Sequence, residues 1–557
     1  MSHQDQQSAP KKLDAVVVGA GFAGLYQLHS LRERGFDARI IEAGDGVGGT
    51  WYWNRYPGAR CDVRSVDYSY SFSPELEAEW EWSEKYAAQP EILRYLEHVA
   101  DRFDLRRDID LGLRVTTATF DESSGRWAIE TDRGGRYDAQ FLIMATGNLS
   151  SSRLPDIPGL SEFQGELLRT AQWPKEGVDV TGRRVGVIGT GSSGVQVIPE
   201  LAAQADHVTV FQRTPAFALP ANNRPLTEEE KRQAHERAEW RRNAAHNSSF
   251  GIDLPAPKYK ALEVDDAERR ATYERYWDDG AATALLVSYR DLLYDREANE
   301  TVAEFLREKI RTIVEDPETA RALTPHGFPF GAKRACVGTN YPAVYNEPHV
   351  DLVDVRADPI DGFTATGLRT ESGAEYPLDA IVFATGFDAM TGALTSVDIQ
   401  GRDGLLLRDK WSVGPHNFLG VSTSGFPNMF IVTGPGSPSV LSNVVVSIEQ
   451  HVDWITRCLM FLRDHGTAMI DASAEAEADW VRQVNEAAAR TLYPEGNSWY
   501  LGANVPGKPR VFMPYVRGLN HYSQICDEIA ERGYDGFVLT SRPGEAASTK
   551  ASSKTPA

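Results

Sequence analysis

Cysteine is scarce in this chain of 557 residues, with only Cys61, Cys336, Cys458 and Cys526 present. They lie far apart, so the sequence offers neither a disulfide framework nor a CxxC redox or zinc pair, and no metal site is expected. Long apolar runs are absent too. Nothing is long enough to span a bilayer, and the opening "MSHQDQQSAPKKLD" lacks the apolar stretch of a signal peptide, so a cytoplasmic location is expected. Positive charge is in deficit: 58 Lys and Arg against 79 Asp and Glu leave a net charge of −21. Such a field repels polyanions, which argues against nucleic acid or an anionic membrane as a partner.

What is present is an ordinary globular composition, long enough for roughly three to four structural units. Short runs rich in Val, Ile and Phe recur, several ending in glycine: "DAVVVGAG", "ARIIEAG", "QFLIMATG", "RRVGVIGTG", "HVTVFQRTP", "DAIVFATG" and "MFIVTGPG". Runs of that kind, separated by helical patterns, are how buried parallel strands look, and they predict an α/β fold. In "QPEILRYLEHVADRF" the residues Ile92, Leu93, Leu96, Val99 and Phe103 fall on one helical face. From about 221 to 330 the sequence turns charged and Ala-rich, opened by Thr227 and Glu230 at capping-box spacing, which predicts a helical insertion. Both termini are polar and are expected to lie outside the packed core.

The glycine pattern G-x-G-x-x-G occurs twice. Gly19, Gly21 and Gly24 follow one apolar strand and lead into a helical pattern, after which "ARIIE" delivers Glu42. Glycines at these positions permit a tight turn and let backbone N–H groups approach a pyrophosphate, while a carboxylate at the end of the next strand suits ribose hydroxyls. The second set, Gly189, Gly191 and Gly194 in "VGVIGTGSSG", includes Thr190 and Ser192 in its loop. The offset from Gly19 to Glu42, applied from Gly189, lands on Gln212, followed by Arg213 and Thr214. No acid is there to hold a free 2′-hydroxyl, whereas a guanidinium and a hydroxyl are available to a 2′-phosphate. The first site therefore reads as one for FAD and the second as one for NADPH, a bound flavin and its reductant. Disulfide reductases share this plan but need a reactive cysteine pair, which is missing. Two Rossmann-like dinucleotide-binding domains with a helical insertion result: a FAD domain in two parts (12–150 and 385–540), an NADPH domain in two parts (151–220 and 331–384), the insertion (221–330) and a disordered tail (541–557).

The stretch "GGTWYWNRYPGARCD", with Gly49, Trp51, Tyr56, Pro57, Gly58 and Asp62, resembles the signature of the type I Baeyer–Villiger monooxygenases, with most likeness to the phenylacetone and steroid enzymes. The resemblance runs from about 13 to about 540. It implies that Thr50, Trp51, Asp62, Tyr68 and Val115 help surround FAD, that Ser439 and Val440 lie in a loop near the substrate, and that in "GAKRACVGTNYPAVYN" Lys333 turns toward the NADPH 2′-phosphate and Arg334 toward the flavin. Trp499 matches a tryptophan on a mobile loop that closes over the nicotinamide cofactor. "FQGELLRTAQWP" fits a second signature at Phe163, Gly165, Thr170, Trp173 and Pro174, but carries Arg169 where the family has histidine. Arginine cannot act as a neutral imidazole, so a weakened coupling between the two nucleotide domains is expected.

The reaction implied is conversion of a ketone to an ester or lactone with O2, through a peroxide at flavin C4a. Arg334, positioned by Asp62, would hold the negative charge that develops. Flavin-dependent N- or S-oxygenation is the nearest competitor, and a non-catalytic redox-sensing module the more distant one.

Overall fold

The computed structural model describes residues 9–541. The end segments expected outside the core fall largely beyond that range; Lys11 already begins the first strand and Ser541 ends the last.

Two sheets organise the chain. In the larger one, Arg136–Met144 lies parallel to Lys11–Val18, which pairs in turn with Ala38–Glu42 and then Ile109–Leu111. On the other flank of Arg136–Met144, Met429–Ile431 pairs in parallel with its C-terminal half, and the strand Arg126–Thr131 runs antiparallel to its N-terminal half. The second sheet has five strands, all parallel, in the order Val350–Asp354, His207–Gln212, Arg184–Ile188, Ala380–Phe383 and Glu166–Arg169. Every apolar run picked out in the sequence is one of these parallel strands. Their side chains are buried on both faces, which is why they read as continuous rather than alternating apolar sequence.

In each sheet a glycine fingerprint joins two adjacent parallel strands through one helix, Phe22–Glu33 in the first and Ser192–Ala202 in the second. That is the Rossmann βαβ unit, present twice. The helix Gln89–Arg102 buries Ile92, Leu96 and Val99 as its periodicity requires. Between the third and fourth parallel strands of the second sheet in chain order, helices from Glu228–Glu236 to Pro317–Leu323 form a separate layer with its own core of Phe217, Tyr273, Trp277, Phe305 and Phe330. Its first helix has the capping box: Thr227 Oγ accepts from the Glu230 N–H while the Glu230 carboxylate accepts from the Thr227 N–H. Among the described residues no helix is long and apolar enough to cross a membrane.

Candidate active site

At the first fingerprint Gly19 has φ of +105°, and a Cβ on Gly24 would come within 1.8 Å of the Gly19 carbonyl oxygen. Only glycine at both positions lets the helix start this close to the strand. Gly21 backs on Gly49, where a Cβ on either would lie 3.3 or 2.8 Å from the other's Cα, so the "GGTW" segment rests directly on the fingerprint turn. Glu42 is buried, and burial pushes its carboxyl up, opposed by N–H groups of Ala20 at 2.7 Å and Gly44 at 2.6 Å. The carboxylate thus ties the strand end to the glycine loop, and each oxygen keeps a lone pair for a ribose hydroxyl. Thr50 is exposed, Trp51 and Tyr68 are buried with the indole N–H donating to the Tyr68 hydroxyl at 3.3 Å, and Val115 lies in the core beneath the sheet. These features suit a bound dinucleotide: glycines where backbone must approach, and an acid at the ribose position.

The second loop repeats the arrangement. Gly189 has φ of +108°, and a Cβ on Gly194 would meet the Gly189 carbonyl at 2.2 Å, but one on Gly191 would meet nothing within 4 Å. Gly191 keeps open the space through which a pyrophosphate reaches the N–H groups at the start of the helix, beside Ser192. The Thr190 hydroxyl donates to the Thr214 carbonyl at 3.1 Å and so fixes the turn that carries Arg213. Gln212 is turned inward, its amide donating to the Ala322 carbonyl at 2.8 Å. Arg213 is exposed and has no ion pair or hydrogen bond among the described residues. Lys333 lies near it, and burial together with the Arg213 charge pulls the Lys333 ammonium below its usual range. Two mutually repelling cations without a carboxylate between them form a site that a phosphate dianion would relieve.

Asp62 and Arg334, far apart in the chain, meet in the fold. Arg334 Nε donates to Asp62 Oδ2 and Nη2 to Oδ1, both at 2.7 Å, in a bidentate pair, and Nη1 donates to the Val440 carbonyl at 3.0 Å. Burial alone would raise the Asp62 carboxyl, but the guanidinium outweighs it and holds the carboxyl below its usual range; Asp62 in turn keeps Arg334 firmly protonated. The pair remains partly accessible, with side-chain exposures of 34% and 22%, so the cation is not sealed in the core. Ser439 is fully buried in a left-handed conformation, φ +42°, strained for a residue with a Cβ. Trp499 packs in an aromatic cluster with Tyr493, Tyr500 and Phe512. Arg169 ends its strand half-buried, and among the described residues its side chain has a 3.4 Å contact to Gln172 and no carboxylate partner.

Sequence reasoning missed several contacts. Tyr56 donates to the side chain of Gln196 on the second fingerprint helix, and Gly58, at φ +80°, sits where a Cβ would be 2.5 Å from the Gln196 carbonyl. The aromatic-Pro-Gly element of the signature therefore holds one nucleotide loop against the other. Asn148 donates to Thr433 and Ser439, and Lys333 to the Asn497 carbonyl next to Trp499. No spacing in the sequence marks these pairs.

The family model for pyridine nucleotide-disulphide oxidoreductases matches residues 16–244, although all four cysteines are free and buried. A steroid monooxygenase structure, oxidized and bound to NADP, superposes with a TM-score of 0.91 at 51% identity, covering 95% of this chain and all of the other. Similarity extends to an acetone monooxygenase (methyl acetate-forming) of Gordonia sp. strain TY-5, 43% identical over 95% of this chain and 99% of that protein. Forming methyl acetate from acetone is insertion of oxygen beside a carbonyl. The chain belongs to the Baeyer–Villiger monooxygenases. As a Baeyer–Villiger monooxygenase it is an FAD- and NADPH-dependent flavoprotein oxidoreductase. A phenazine N-monooxygenase of Lysobacter antibioticus is a further relative, 41% identical over 95% of this chain and 97% of that protein.

Proposed function

We propose that this monooxygenase converts ketones to esters or lactones, with Arg334 as the cation at the reacting centre and Asp62 as its positioning partner. The observation that carries the reading is the bidentate Arg334–Asp62 pair, anchored to the Val440 carbonyl and partly accessible. Bound FAD and NADPH supply the reducing equivalents and the activation of O2. What the chain adds is a permanent positive charge of fixed orientation, able to hold developing negative charge without reorganising. Asp62 offsets the desolvation of that cation while no substrate is bound. Arg213, Thr214 and Lys333 would hold the 2′-phosphate, Glu42 the flavin-side ribose, and Thr50, Trp51, Tyr68 and Val115 the flavin surroundings. Ser439 and Val440 would border the substrate and Trp499 would close over the nicotinamide. In this reading the flavin domain comprises 12–150 and 385–540 and the NADPH domain 151–220 and 331–384, and four buried thiols suit a reducing cytoplasm.

Mass spectrometry of products from a panel of aryl, cyclic and steroid ketones under isotopically labelled O2 tests it. One labelled oxygen in an ester is the expected result, and NADPH consumption without ester from any ketone would overturn it. The phenazine relative favours a second reading, oxygenation of heteroaromatic nitrogen, which the same assay detects as a labelled N-oxide.

A further inference from the structure

A cavity of about 250 Å³ opens between the helical layer and the loop that carries Ser439 and Val440. Phe250, Leu286 and Leu293 wall one side, Leu441 and Tyr493 the other. Leu441 directly follows Val440, whose carbonyl takes an N–H of Arg334, and the Arg334 charge acts on the Tyr493 hydroxyl. The cavity therefore adjoins the reacting centre.

Among the described residues no carboxylate lines this cavity, but two arginines do. Arg290 is paired with Glu263 at 3.2 Å. Arg517 has no ion pair and no hydrogen bond among the described residues, and its charge acts on Tyr515 and His521, neither of them a carboxylate. An exposed arginine is ordinarily a solvated surface group. Here it stands at the edge of an apolar chamber in a chain of net charge −21, where carboxylates outnumber cations and still none has been placed beside it. A local cation of this kind is what an anionic ligand needs, because the surrounding field would otherwise repel it.

We propose that the cavity holds the body of the substrate and that Arg517 pairs with a carboxylate on it, so that the preferred ketones carry an anionic end remote from the carbonyl. The inference rests on the reading of Arg334 as the reacting centre. A guanidinium binds a carboxylate through charge-assisted hydrogen bonds, and at a partly exposed site this attraction weakens with salt.

The test compares the keto acid ω-acetyloctanoate with its methyl ester, which differ in charge but keep the same carbonyl. With the holoenzyme, kcat/KM for the acid exceeds that for the ester, and the ratio of acid to ester falls about tenfold or more in Arg517→Gln, mainly through KM. Arg517→Lys keeps most of the ratio, and added salt reduces it in the parent but not in Arg517→Gln. A parent enzyme that turns over the ester as well as the acid, or an Arg517→Gln variant with an unchanged ratio, overturns the proposal and leaves the Arg334 reading standing. Ester product from neither compound, nor from a simple cyclic ketone, overturns both.

Discussion

Arg334 and Asp62 are 272 positions apart in the chain, and no spacing rule joins them; the fold brings them within hydrogen-bonding distance. Hydride transfer requires no cation at the ketone, whereas oxygen insertion develops negative charge there. Arg334→Ala should therefore abolish ester formation, by on the order of 10²–10³ or more in rate, while flavin still binds, bleaches with NADPH and reoxidises in air. Stopped-flow absorbance separates these steps, and near-parental ester yield from the variant would remove Arg334 from the reaction. Asp62→Ala should show the same pattern less completely, since it acts through Arg334. At the second nucleotide site the missing acid was legible as a register comparison, and Arg213 stands without an ion pair among the described residues. Arg213→Ala should raise KM for NADPH several-fold and hardly alter NADH use; equal losses with both would count against a phosphate contact. What the sequence did not disclose was that Gln212 turns inward to the Ala322 carbonyl, because a glutamine at a strand end can face either way.

The strands and helices that carry the site follow local rules, which is why they could be read: buried parallel strands are continuously apolar, and the capping box and the helical spacing of Ile92, Leu96 and Val99 are local patterns. Contacts between elements are not local. Tyr56 and Gly58 belong to the family signature with no partner marked in the sequence, and that partner is Gln196 on the helix of the second nucleotide loop. Gly58→Ala puts a Cβ at 2.5 Å from a backbone carbonyl at a positive φ, so the two loops must move apart. Slower reduction of flavin at saturating NADPH is expected, together with a lower Tm. Tyr56→Phe, which deletes only the hydrogen bond, should lose about 1 kcal/mol of stability and less of the reduction rate. Identical reduction kinetics in Gly58→Ala and the parent would mean that this contact does not align the loops. Arg169 belongs to the same scale: if its strand end transmits between the two sheets, Arg169→His should raise the yield of ester per NADPH consumed.

Across the whole molecule, acid stability depends in part on His451, which is fully buried and pushed down to about 4 from the ordinary 6.5 by burial. Its Nδ1 accepts from the Thr433 N–H at 3.0 Å, so Nε2 carries the proton toward the Tyr522 hydroxyl at 2.8 Å. Between about pH 6.5 and 4 the unfolded chain takes up a proton that the native protein refuses, and stability falls as pH drops through that window, by about 3 kcal/mol in all. Glu449, raised by burial to about 7, works in the other direction: between about pH 4.5 and 7 the native protein keeps a proton that the unfolded chain has lost, so stability falls as pH rises through that window. His451→Gln should flatten the acid limb of a Tm-against-pH curve; an unchanged limb would assign it to other groups.

The strand Met429–Ile431 completes the larger sheet by pairing with Leu142–Met144, yet the whole five-stranded sheet and the helical layer are encoded between them. On the ribosome, the second sheet has all its strands by Phe383, whereas the first must wait with the half-edge at Leu142–Met144 uncovered until the C-terminal third emerges. Synthesis order and sheet order are thus at odds, and the flavin-side sheet is the part of the newborn chain most open to mispairing and to chaperone binding.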